Sequence, residues 1–150
     1  MATRLVIGAS SYGLAQARGG AWVELAVLPG GAEALLPAPR RANEAGLEAA
    51  IELAEDWLMP HARAIQGEEL ELVDDTGRLV SGLVAVLSVG QREWSTEGIE
   101  TMFLRLVDMA TGRGPAIPAD QTSFVVDLLL VRELAHHGRL RRVRIVDGPE

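Results

Sequence analysis

The 150-residue chain contains no cysteine and no lysine; all 14 of its basic residues are arginine. Without lysine there is no Schiff-base chemistry and no ammonium for a phosphate-binding P-loop. Without cysteine there are no thiol nucleophiles, thiolate metal ligands or disulfides. Three histidines and one tyrosine remain, so few side chains can titrate near neutrality. A genome that spells basic residues with arginine codons accounts for the missing lysines without any functional demand. The lack of cysteine fits a reducing compartment, and the cytoplasm is the expected location.

Charge and hydropathy exclude further classes. The net charge of −7 argues against non-specific binding to nucleic acid or to an anionic membrane. The longest uncharged apolar run, Leu79 to Val89, is too short to span a bilayer. The opening MATRLVIGAS lacks the basic-then-apolar order of a signal peptide. A hydrophobic share of 48% suits one well-packed domain over residues 1–150, with about 70% of the unfolded surface buried.

Periodicity then gives the elements. Arg4 to Ala9 and Ala21 to Leu28 read as strands, with Ser10 to Gly20 open between loop, short helix and irregular strand. Pro37 and Pro39 keep the next stretch extended. From Asn43, a good N-cap, Leu47, Ile51, Ala54, Leu58, His61 and Ile65 form one helical stripe opposite Glu44, Glu48, Glu52 and Glu55, with a kink or break at Pro60. Glu68–Val73 and Gly77–Val89 read as a hairpin across the Asp74-Asp75-Thr76-Gly77 turn, the second arm apolar on both faces and hence central. Ser95 or Thr96 caps a helix with Ile99, Met102, Phe103, Leu106 and Ala110 inward. Asp120 caps a third helix ending near His136 and stopped by Gly138, and Leu140–Val146 is a final strand. The expected fold is α+β, a mixed sheet of about five strands packed with three helices. Because Phe124–Val131 is apolar almost all round, that helix is either central or part of an oligomer interface, and a homodimer or higher homo-oligomer is expected.

Candidate chemistry is sparse, and each candidate has a structural alternative. His61 falls on the buried stripe one residue past Pro60, where a partly desolvated imidazole could do acid/base work or simply bond a freed carbonyl. Asp127 interrupts the apolar helix, where it can bond Ser123, pair with an arginine, or carry a raised pKa and act catalytically. Arg142 and Arg144, in a cluster with Arg139 and Arg141, could bind an anion, or could defend an edge strand with charge. Ser10, Ser11 and Tyr12, following the first strand, could present backbone N–H groups and hydroxyls to a phosphate, although no glycine-rich fingerprint surrounds them. The adjacent His136 and His137 point about 100° apart on a helix and make no clamp; no metal site and no cofactor are expected.

No motif identifies a known family. With the usual nucleophiles missing, the leading expectation is a homo-oligomeric binding or interaction module, with a small anion as its possible ligand. The alternative is a small enzyme with an acid/base or hydrolytic site centred on His61, using Asp127 or Glu55 and an arginine such as Arg144.

Overall fold

Two glycines set the first hairpin. Gly19 and Gly20 both have positive φ, 58° and 82°, which only glycine adopts cheaply and which matches the twist of the flanking strands. They join β2 (Ser11–Arg18) to β3 (Ala21–Pro29), and β2 pairs antiparallel with β1 (Ala2–Ile7). The ambiguous Ser10–Gly20 stretch is therefore a strand and its turn. These elements come from a computed structural model, which describes residues 2–36, 41–67 and 69–146. Pro37, Pro39 and Glu68 lie outside the described residues.

A short helix, α1 (Ala32–Leu35), precedes α2 (Glu44–Leu58), whose Asn43 side chain accepts from the Gly46 N–H at 2.8 Å. As Pro60 demands, α2 stops at Leu58 and tightens into a 3-10 turn over Met59–His61. The chain then enters β4 (Glu69–Asp74), which lies parallel to β1 in register Ile7↔Asp74.

The expected hairpin arm Gly77–Val89 is instead a helix, α3 (Arg78–Leu87). The Asp74 carboxylate accepts from the Leu79 and Val80 N–H groups at 3.1 and 2.9 Å, satisfying orphan donors of a helix start. Gly77, at φ 74°, makes the turn a strand-to-helix connection. Leu79, Leu83 and Leu87 are buried while Val84 is exposed, a spacing of four rather than two. Gly82 lies so close to Phe124 that a Cβ there would sit 2.1 Å from the Phe124 Cγ.

After β5 (Glu93–Ser95), α4 (Thr96–Ala110) starts where Ser95 Oγ accepts from the Gly98 N–H, and it buries Ile99, Met102, Phe103 and Leu106. Asp120 falls in a 3-10 turn, so α5 begins slightly later than expected and spans Thr122–His137. Gly138 follows, but at φ −81°; the left-handed residue is Arg139, at φ 50°. Glycine is required at 138 by space, since a Cβ would lie 3.0 Å from the Ile65 carbonyl oxygen. The last strand is β6 (Arg142–Val146).

Among the described residues six strands form one mixed sheet, ordered β3-β2-β1-β4-β6-β5, with β1, β4 and β6 parallel. Leu5, Ile7, Leu14, Leu70, Leu72, Val143 and Ile145 point from the sheet into a core shared with the helices. Helices α1, α2, α3 and α4 all pack against α5. Burial all round α5 thus occurs within one chain, which removes the ground on which a homo-oligomer is expected. β6 is also not an edge strand, because it pairs with β4 on one side and β5 on the other. Among the described residues no helix is long and apolar enough to cross a membrane.

Candidate active site

Parallel strands leave a crevice beyond their carboxyl ends, where connections to neighbouring elements diverge. Here that crevice lies past Ile7 and Asp74. The turn after β4 is tied to the end of β1 by the Asp75 N–H donating to the Ile7 carbonyl at 3.2 Å. Beside it, the β1–β2 turn is closed by the Gly8 N–H on the Ser11 carbonyl at 3.0 Å and held by the Gly30 N–H on the Ser10 carbonyl at 2.9 Å. Gly31 packs on that turn so closely that a Cβ would meet the Ser11 backbone nitrogen at 2.9 Å.

Beneath the two turns lies a buried polar cluster. Arg78, from the first residue of α3, grips Asp127 of α5 bidentately, Nε to Oδ2 and Nη2 to Oδ1, both at 2.8 Å. Tyr12, the second residue of β2, donates its hydroxyl to Asp127 Oδ1 at 2.5 Å. Asp127 and Tyr12 are fully buried, while Arg78 is partly exposed. Burial pushes the Asp127 carboxyl up, against the opposing pull of Arg78 and the Tyr12 hydroxyl. Burial first, then the adjacent Asp127, holds the Tyr12 phenol protonated far above its ordinary range. The Asp127 hydrogen bond raises the Arg78 guanidinium pKa, so the cation persists. Of the options read for Asp127, the structure gives pairing with arginine rather than a bond to Ser123.

Tyr12 and Asp127 are the predicted residues that this cluster unites; His61, Arg142 and Arg144 do not join it. His61 O accepts from the Ile65 N–H, and the Ile65 carbonyl accepts from Thr3 Oγ1 at 3.4 Å. That places the His61 turn over the start of β1, about 13 Å along the strand from Ile7. Arg142 and Arg144 point to the sheet face away from the helices. Arg144 bonds Glu71 Oε1 at 2.9 Å and contacts Glu69, while Arg142 reaches Glu93 at 3.1 Å. Arg139 and Arg141 part from them, lining a hollow of ≈ 440 Å³ with His136 and the first residues of α4. Ser10, Ser11 and Tyr12 do sit at the crevice. Sequence reading missed Arg78, because a strand assignment would have aimed it elsewhere, and missed Asp74 as the α3 cap. The signal available was an acid preceding a stretch with leucines four residues apart.

Neither a protein-family model nor a curated protein matches the sequence. Solved structures do match. The "PPX-GPPA enzyme" of Aquifex aeolicus superposes with a TM-score of 0.68 at 11% identity, covering 98% of this chain and 53% of that one. An exopolyphosphatase from Cytophaga hutchinsonii gives 0.67 at 14%, again covering 98% and 53%. A further Aquifex aeolicus structure, of a Ppx/GppA family member, gives 0.65 at 10%, covering 98% and 52%. The likeness is one of fold. The chain spans about half the length of these structures.

This likeness runs against the expectation of a non-catalytic binding module, since the matching structures are described as enzymes; at 11–14% identity it shows the fold alone. The picture of a cytoplasmic homodimer is withdrawn as well, since the fold supplies the burial that the dimer was invoked to provide and adds no support for the compartment.

Proposed function

We propose that this chain forms one lobe of an enzyme that hydrolyses phosphoric anhydrides or esters, with the reaction at the crevice beyond β1 and β4. The observation that carries this reading is the side-by-side arrangement of the Gly8–Ser11 and Asp74–Gly77 turns above the Arg78–Asp127–Tyr12 cluster. The likeness of fold to structures described as phosphatase and exopolyphosphatase supports the substrate class. The half-length coverage supports a single lobe.

Each residue then has a role that its environment permits. Arg78 commits Nε and Nη2 to Asp127, leaving Nη1 to meet a phosphate oxygen; a guanidinium suits such an oxyanion. Asp127 and Tyr12 position Arg78 and do not take part in proton transfer, because Asp127 is held by three hydrogen bonds and the phenol stays protonated. Ser10 and Ser11 supply hydroxyls to the phosphate from the β1–β2 turn. Asp74 is committed to the α3 start, so the exposed Asp75 is the carboxylate assigned to orient water. In the reaction, water attacks phosphorus, the bridging P–O bond breaks, and the water proton passes through Asp75 to the departing oxygen.

Orthophosphate release from tripolyphosphate, followed alongside backbone NMR, tests this. The expected result is tripolyphosphate-dependent shifts in the Gly8–Ser11 and Asp75–Gly77 amides, with phosphate release lost in Asp75→Asn while those shifts persist. Shifts confined to other regions, or none at millimolar ligand, would remove the crevice as the site.

A further inference from the structure

At the opposite end of the helical layer from the proposed crevice, the last turn of α5 meets the last turns of α2. Glu133 and His137 lie four residues apart on α5 and so share a face. Glu55 of α2 reaches toward them. His137 Nε2 lies 3.2 Å from Glu133 Oε2 and 3.8 Å from Glu55 Oε1. One ligand atom from each of the three falls within 4.8 Å of the others.

Three independent features set this group apart from an ordinary surface ion pair. First, the Glu133 side chain is completely buried, and its Oε2, aimed at His137, has no hydrogen-bond partner. His137 Nε2 is likewise shut off from solvent and unpartnered, since the 3.2 Å approach lacks hydrogen-bond geometry. Leaving a buried carboxylate oxygen and a ring nitrogen both unsatisfied is costly. Second, the spacing suits a shared ion. Two donors each about 2.1 Å from a tetrahedral metal stand roughly 3.4 Å apart, between the two distances observed here. Third, the cluster is oriented from behind. Arg132 Nη1 holds the other Glu133 oxygen at 2.7 Å and is itself fixed by Nε on Glu100 at 2.8 Å. The Gln66 side chain donates to the His137 carbonyl at 3.0 Å. Outer contacts of this kind fix the aim of metal ligands.

We propose that Glu55, Glu133 and His137 form a binding site for a divalent cation of the zinc class. An imidazole nitrogen with two carboxylates favours zinc over magnesium or calcium, which prefer all-oxygen shells. Glu55, Glu133 and Glu100 set against Arg132 leave two net negative charges with neutral His137, the charge that a dication neutralises. Three protein ligands leave a coordination position for water. That position opens on the Glu55 side, where the side chain is 45% exposed. The ion clips α2 to α5, far from the crevice assigned to phosphate, and the site stands whether or not that assignment holds.

Chelator-stripped protein titrated with zinc chloride by calorimetry, with thermal unfolding in parallel, tests the site. One equivalent of zinc is expected to bind and to raise the Tm. Glu55→Gln and His137→Gln should each weaken binding by about tenfold or more, while His136→Gln should leave it unchanged. Glu55 is exposed enough that its variant will fold, so that variant decides the matter if His137→Gln does not. No saturable binding, or equal affinity in Glu55→Gln and wild type, overturns the proposal. So does NMR showing His137 as an imidazolium between the glutamates with no response to zinc.

Discussion

The two faces of the sheet use the same chemistry, arginine against carboxylate, in opposite ways. On the helix-covered face the described residues place one arginine–carboxylate pair at the crevice, Arg78 with Asp127, capped by Tyr12 and with the carboxylate wholly out of water. On the other face a ladder runs across four strands: Arg4 to Glu71 at 2.8 Å, Glu71 to Arg144, Arg144 to Glu69, and Arg142 to Glu69 and Glu93. Arg4 also stacks on Trp22, 4.1 Å from the ring centroid. Cross-strand register, Glu71 opposite both Arg4 and Arg144, builds the ladder automatically. The buried pair is different, since it needs α3 and α5 to be brought together over β2. A ladder in contact with water tolerates loss of a rung, whereas a buried carboxylate without its partner is an uncompensated charge.

Breaking the pair should therefore cost most. Asp127→Ala strands Arg78 and the Tyr12 hydroxyl and is expected to lower stability by about 3–5 kcal/mol in urea unfolding. Adding Arg78→Ala should recover part of that loss, and strict additivity of the two changes would contradict the contrast drawn between the faces. Tyr12→Phe removes one hydrogen bond to a buried carboxylate, a loss of about 1–2 kcal/mol. It also has a pH signature. The folded phenol binds its proton more tightly than the unfolded one, so stability present below pH ~10 declines as pH rises above it. The phenolate absorbance should then appear only with unfolding, and Tyr12→Phe should flatten the alkaline decline. With no lysine or cysteine, Tyr12 is the only side chain whose ordinary pKa lies near 10, so the reading is unobstructed. The smallest effect belongs to the ladder: Arg4→Gln should cost about 1 kcal/mol, diminishing as salt is added.

How much of this was legible depends on how local each signal was. The Asn43 and Ser95 caps, the break at Pro60 and the stripes of α2 and α4 need only neighbouring residues, and those elements stand as read. Segment 77–89 did not yield to local reading. Its valines favour a strand, and its helical spacing of leucines is diluted by Val80, Val84 and Val86; packing of Gly82 against Phe124 and capping by Asp74 decided for helix. His137 was weighed against His136, its neighbour in sequence, when its partners are Glu133 one turn back and Glu55 on another helix. Arg142 and Arg144 looked like edge charge because nothing local reveals that a three-residue strand, β5, pairs beyond them.

The order of residues alone determined where α2 and α4 start and stop, the apolar content of α5, and the exclusion of thiol and amine chemistry, because these depend on backbone sterics, period and side-chain identity. Only the tertiary structure decided that Tyr12, Arg78 and Asp127 meet, and that Glu55 faces Glu133 and His137. Contacts between residues 49 to 115 positions apart arise when strand register and helix packing close the core, and no local pattern encodes them.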